Sequence, residues 1–168
     1  MIKSASELHE KAVSLIKERG VEIEDIASLV LFLQKDYVDD LTLEFCCENV
    51  EAVLLKREVQ NAVITGIELD MLAEKGLLSQ PLADILLNDE GLYGIDEIMA
   101  LSIVNVYGSI GFTNYGYIDK LKPGILKKLN DKNDPSCHTF LDDIIGAIAA
   151  AAASRIAHDD PNKSYIMQ

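Results

Sequence analysis

The sequence predicts an all-α protein, a single-domain helical bundle of about six main helices. Three observations predict it. The chain has 168 residues, room for one domain with its own core. Apolar residues recur at spacings of three and four between recognisable caps. No run alternates apolar and polar residues as a half-buried strand would.

The elements follow in chain order. Ser4 stands three residues before Glu7, a capping-box pattern, and Leu8, Ala12, Leu15 and Ile16 continue at helical spacing until Gly20. A second helix is expected over about 23–37, with Ile26, Leu29, Val30 and Leu33 on one face. Thr42 can cap a third, carrying Phe45, Val50, Val53 and Leu54. The polar triplet Lys56-Arg57-Glu58 is either a break or an exposed turn. Helical spacing resumes at Val59, Val63, Ile67 and Leu72 and stops near Gly76. Pro81 suits the first position of a short helix ending near Leu87.

Residues 88–94 read as a turn. Residues 95–106 are apolar enough to predict a helix buried nearly all round, and 107–117, rich in Gly, Asn and Tyr, a turn-rich loop. Pro123-Gly124 opens another short helix, 130–136 is a polar loop, and 139–157 is the last helix. That helix carries Gly146, Ala147 and an unbroken alanine run from Ala149 to Ala153. Small side chains let neighbouring backbones approach, and Ile144, Ile145, Ile148 and Ile156 spread apolar surface around it, so it is expected at the centre of the bundle. Residues 1–157 form the domain, and 158–168 a polar tail.

Charge excludes some functions. Twenty-eight acidic against 15 basic side chains give a net charge of -13. A polyphosphate backbone is held by Lys and Arg, so nucleic-acid binding is not expected. The same sign opposes adsorption to anionic lipid unless a local patch or bound cation reverses it. The three cysteines, the vicinal Cys46-Cys47 and a distant Cys137, read as reduced thiols of a cytoplasmic protein, without the paired spacing of a zinc site. Residues 98–118 carry no formal charge up to Asp119 and are long enough to span a bilayer. Their Asn and Gly content reads instead as a buried helix and loop, so no transmembrane span is expected, with room left for peripheral membrane contact.

Chemistry concentrates in carboxylates beside apolar helices. Asp142-Asp143 precedes the final helix; Thr139 as N-cap with Asp142 three residues on would explain one carboxylate but not two. Asp96-Glu97 repeats the arrangement at the start of the other strongly apolar segment, and Asp119 and Lys122 close that segment. Carboxylates converging from separate helices suit Mg²⁺, which takes oxygen ligands and keeps waters for a phosphate substrate. Structural networks also place carboxylates in this way. His138 could be a general acid or base, although a loop histidine at a helix entrance is more often incidental.

Three motifs in order resemble the phosphatidylglycerophosphatase A family: Ile95-Asp96-Glu97-Ile98, Asp119-Lys120-Leu121-Lys122-Pro123, and Leu141-Asp142-Asp143-Ile144-Ile145-Gly146. The resemblance implies a Mg²⁺-dependent phosphatase acting on phosphatidylglycerophosphate or a related phosphate in bacterial lipid metabolism. It implies Asp96, Glu97, Asp142 and Asp143 as metal ligands, Asp119 as a further ligand or water-orienting base, Lys122 on the phosphate and Asp143 in catalysis. The family's Gly-rich N-terminal segment has no counterpart; the nearest stretch, 61–70 with Thr65-Gly66, lacks its Pro and Ser. Asn130 stands in place of an Asp, Gly116 in place of an Arg, and Pro135-Ser136-Cys137-His138 in place of a Gly-rich loop. These departures resemble a branch without spanning helices. The missing Gly-rich segment and the net charge of -13 favour the rival expectation, a non-catalytic helical module that keeps the acidic cluster for packing or partner binding. A homo-oligomer is expected, because Val50, Val53, Leu54, Ile64, Ile67 and Met71 put apolar surface on more than one side of the helices between Thr42 and Lys75.

Overall fold

The computed structural model describes residues 4–159. Its elements are α1 (Ala5–Glu18), α2 (Ile23–Gln34), α3 (Leu43–Leu54), α4 (Arg57–Glu74), α5 (Leu82–Leu87), α6 (Ile95–Val104), α7 (Gly108–Leu121), α8 (Ile125–Leu129) and α9 (Leu141–Asp159), with a 3₁₀ turn at Asn105–Tyr107 between α6 and α7. No strand occurs among the described residues. The all-α fold holds.

Local chemistry starts several helices as expected. The Ser4 hydroxyl accepts from the Glu7 N–H while the Glu7 carboxylate accepts from the Ser4 N–H. Thr42 Oγ1 accepts from the Phe45 N–H at 3.2 Å. The polar triplet is a break, with α3 ending at Leu54 and α4 beginning at Arg57.

The alanine-rich helix is central. Ile144, Ile145 and Ala147 through Ala153 are fully buried, and α9 packs on α2, α3, α4, α6, α7 and α8. Small residues permit that crowding. A Cβ at Gly66 of α4 would collide with Ile144 Cδ1 and come within 3.0 Å of Phe140 Cβ. Bare backbone at Gly66 therefore sets how closely α4 lies on α9. Each fully buried isoleucine contributes about 1.5–3 kcal/mol, so α9 anchors the core from which the acidic pair projects.

Four expectations change. Residues 108–121 are helix, not loop. A Cβ at Gly111 would lie 2.8 Å from Val104 Cγ1, so glycine lets α7 fold tightly against the end of α6, and packing overrides its poor helix propensity. Second, α6 is not buried all round: Ala100, Ile103 and Val104 are buried while Ile95 and Ile98 are exposed. Third, Val50, Val53, Leu54 and Ile67 are fully buried within the chain, and Ile64 and Met71 are partly buried against the core, so most of the apolar surface expected on these helices is covered within the chain. Fourth, His158 and Asp159 continue α9; the rest of the expected tail lies outside the described residues.

The stretch Ile95–Leu121 is long and apolar enough to cross a membrane by length and composition, and only a minority of it is buried inside the chain. The 3₁₀ turn divides it, and Gly108 there takes φ 72°.

Candidate active site at the start of the central helix

A reversal after α7 brings the second and third sequence motifs together. Helix α7 ends at Leu121, and Lys122 takes a left-handed conformation, φ 48° and ψ 52°. Proline at 123 disfavours helical geometry in the residue before it, and Gly124, at φ 55° and ψ -128°, completes a reversal that side chains rarely permit. The left-handed lysine costs about 1 kcal/mol or more. It is offset by what the lysine reaches. Nζ lies 2.6 Å from Asp119 Oδ1, 2.9 Å from Asp142 Oδ2 and 3.8 Å from Asp143 Oδ1. Asn130, just after α8, donates from Nδ2 to Asp142 Oδ2 at 2.8 Å.

One lysine serves too many carboxylates. Asp143 is pushed up to about 8 by burial, then by Asp142, against the pull of Lys122, with Asp119 and Asp96 adding to the rise. Burial also raises Asp142 despite its pairing with Lys122. Lys122 itself is raised: burial opposes its charge, but the ion pairs with Asp142 and Asp119 outweigh it. Asp96, in the first turn of α6, is raised by burial and by crowding from Glu97 and Asp89, against two backbone N–H bonds. Its Oδ1 is buried without a hydrogen-bond partner. Glu97 is exposed on the adjoining face of α6.

Sequence reasoning missed Tyr115. Its side chain is buried, and its hydroxyl has no hydrogen-bond partner. Burial and the carboxylates of Asp143, Asp119 and Asp142 raise its pKa far above the usual phenol. A buried tyrosine four residues after Gly111 resembles ordinary core, so nothing in the sequence marked it.

A second polar network borders the first, and it corrects the expected cap. Thr139 does not cap α9; its hydroxyl donates to the Leu86 carbonyl at 2.7 Å. The cap comes from Asp70 of α4, fully buried, whose carboxylate accepts from Phe140 N at 3.1 Å and from Leu141 N at 3.0 Å. Burial pushes Asp70 up to about 7, against these backbone bonds. Arg19 makes a two-pronged pair with Glu74 at 3.0 and 2.6 Å and donates to the Cys137 carbonyl at 2.7 Å. His138 sits in this network, 3.3 Å from Arg19 and 3.4 Å from Asp134.

Between the networks lies a polar cavity of about 130 Å³, bordered by Asp142, Asn130, Asp89, Asp134, His138 and Thr139. Of the residues expected to act together, Asp119, Lys122, Asp142 and Asp143 meet directly. Asp96 is near enough to raise Asp143, and Glu97 stands beside Asp96. Among the described residues no three Asp, Glu, His or Cys side chains converge as a ready ligand set.

The phosphatidylglycerophosphatase A family matches this chain over residues 13–158. The chain belongs to that family. Its similarity to known proteins is high along most of its length. It is 67% identical over 153 residues to the uncharacterized protein YutG of Bacillus subtilis, covering 91% of this chain and 92% of that one. It is 60% identical over 144 residues to YpjQ of the same organism, covering 86% and 81%. The crystal structure of low temperature requirement C protein from Listeria monocytogenes superposes with a TM-score of 0.88 at 71% identity, over 90% of this chain and 95% of that one. The crystal structure of B. subtilis ypjQ gives 0.88 at 56% identity, over 93% and 96%. Membership supports a phosphatidylglycerophosphatase-like phosphatase of lipid metabolism at family level.

Proposed function

We propose that the protein is a Mg²⁺-dependent phosphomonoesterase acting on phosphatidylglycerophosphate or a related phosphate ester. The observation that carries this reading is the charge balance of the site: Asp119, Asp142 and Asp143 crowd around Lys122, Asp96 is near enough to add to the crowding on Asp143, and Asp142 borders a polar cavity. Uncompensated buried charge is costly, and a divalent cation would remove the cost.

The donor chemistry fits Mg²⁺. The orphaned Asp96 Oδ1 is an unsatisfied hard-oxygen donor, and Asp143 has no hydrogen-bonded cation, with Lys122 at 3.8 Å. Mg²⁺ is commonly held by one or two carboxylates with waters and substrate phosphate, so a closed cage of three is not required. Asp96, Asp142 and Asp143 would hold it, with Glu97 at the outer edge. Bound there, the ion would neutralise phosphate charge and lower the pKa of an attacking water.

The chain's own groups do the rest. Lys122 has three donors; Asp119 and Asp142 take two, leaving one for a phosphate oxygen. Asp119 is the most exposed of the three carboxylates around Lys122, at 38% of its side chain, which suits a base that orients water. Peripheral membrane contact or self-association would cover Leu92, Ile98, Phe112 and Tyr117, which stand exposed on or beside α6 and α7.

The rival reading, a non-catalytic helical module, is favoured by one observation: Lys122 already occupies the centre of the cluster. Phosphate release decides between them. Short-chain phosphatidylglycerophosphate and a generic phosphomonoester are incubated with protein in Mg²⁺ or chelator. The expected result is release that stops on chelation and falls at least about 100-fold in Asp143→Asn. No release from either ester in Mg²⁺ would overturn the enzyme reading.

A further inference from the structure

Two buried groups near the start of α9 lack what the other can provide. The Tyr115 hydroxyl is a buried donor with no acceptor in hydrogen-bonding geometry, although the Asp143 carboxylate stands near enough to act on it. Asp143 is an acceptor whose nearest cation, Lys122, stands at 3.8 Å, beyond hydrogen-bond distance. Its neighbours are already served: Asp119 by Lys122, and Asp142 by Lys122 and Asn130.

The position of the tyrosine is built rather than incidental. Its ring lies against Gly146, where an added Cβ would be 3.7 Å from Cε2. Residues three apart share a helix face, so a ring seated at Gly146 presents its far end to Asp143 one turn earlier. The side chain is only 7% exposed. Phenylalanine would fill the same space without burying an unpartnered hydroxyl, and buried polar groups without partners are rare unless something uses them.

We propose that Tyr115 is a positioning residue for Asp143, its hydroxyl donating a hydrogen bond to the carboxylate when Asp143 takes up a divalent cation. Partners of this kind fix the orientation of a ligating carboxylate, and removing them typically weakens metal binding 10- to 100-fold. The bond also gives the carboxylate a second contact that Lys122 does not provide. The inference rests on the Mg²⁺ reading given above.

The test is calorimetric titration of wild type, Tyr115→Phe and Asp143→Asn with Mg²⁺, alongside thermal unfolding of each without metal. The expected result is metal-free melting of Tyr115→Phe unchanged or raised, with Mg²⁺ affinity weakened about 10- to 100-fold and binding lost in Asp143→Asn. If Tyr115→Phe binds Mg²⁺ like wild type, the positioning role is wrong and the metal reading stands. If Tyr115→Phe melts well below wild type without metal, the hydroxyl is a structural group and the positioning role is wrong. Should wild type bind no Mg²⁺, both fall together.

Discussion

The two polar networks flanking the start of α9 are built from similar residues and treated differently by the fold. Around Asp70 the carboxylate itself is served: two backbone N–H groups and the Cys137 thiol donate to it, and Arg19 and Glu74 pair beside it, with Arg19 Nε alone in that network left without a partner. Around Asp143 demands are left over: one lysine faces several carboxylates, and Asp96 Oδ1 and the Tyr115 hydroxyl have no partner. A satisfied buried network holds two elements in register. An unsatisfied one carries the cost of its unpaired groups. The difference separates fold from function within a few residues of one helix.

The largest effect should come from breaking the satisfied side. Asp70→Asn replaces one of the two oxygens that accept these N–H groups with a donating NH₂. It should cost about 3 kcal/mol, since buried donors left unpaired cost about 1–3 kcal/mol each. Urea unfolding with and without Mg²⁺ should give the same loss. A loss that Mg²⁺ repairs would join the two networks into one.

A smaller effect is expected from Lys122→Met, which removes the only cation among the carboxylates. Without divalent ions it should destabilise by about 2 kcal/mol, below the usual cost of breaking a fully buried pair because the lysine is partly exposed. Added Mg²⁺ should recover most of that loss, by binding the folded state alone. Melting that ignores Mg²⁺ would place Lys122 with the structural network instead.

The pH dependence of metal-free stability sharpens the contrast most finely. Asp143, pushed up to about 8, keeps its proton in the folded state over a range where the unfolded chain has lost it. The folded state therefore binds more protons between about pH 4 and 8, and stability falls as pH rises through that window. Asp143→Asn should flatten this decline, leaving stability near pH 4 unchanged and raising it near pH 8 by about 1 kcal/mol or more. Denaturant midpoints at the two pH values measure it. An equally steep decline in the variant would assign the slope to Asp70, which is pushed up to about 7.

Much of this molecule is legible in its residues. The capping box at Ser4, the apolar spacing of α1 through α4 and the alanine run of α9 are local signals, because helix hydrogen bonds and side-chain crowding act within a turn or two. The ordered acidic motifs were legible too, and Asp119, Lys122, Asp142 and Asp143 do meet. What sequence alone could not decide depended on contacts between distant segments. Gly111 reads as a breaker until Val104 is packed against it, and Thr139 reads as a cap until Asp70, some seventy residues earlier, takes the same N–H groups. Burial of Tyr115 against Gly146 is likewise set by α7 lying on α9. Composition and spacing determined that helices would form and which acids would sit at their starts. The tertiary fold alone decided which carboxylates are satisfied and which are left crowded, because desolvation and partner geometry exist only once the helices have packed.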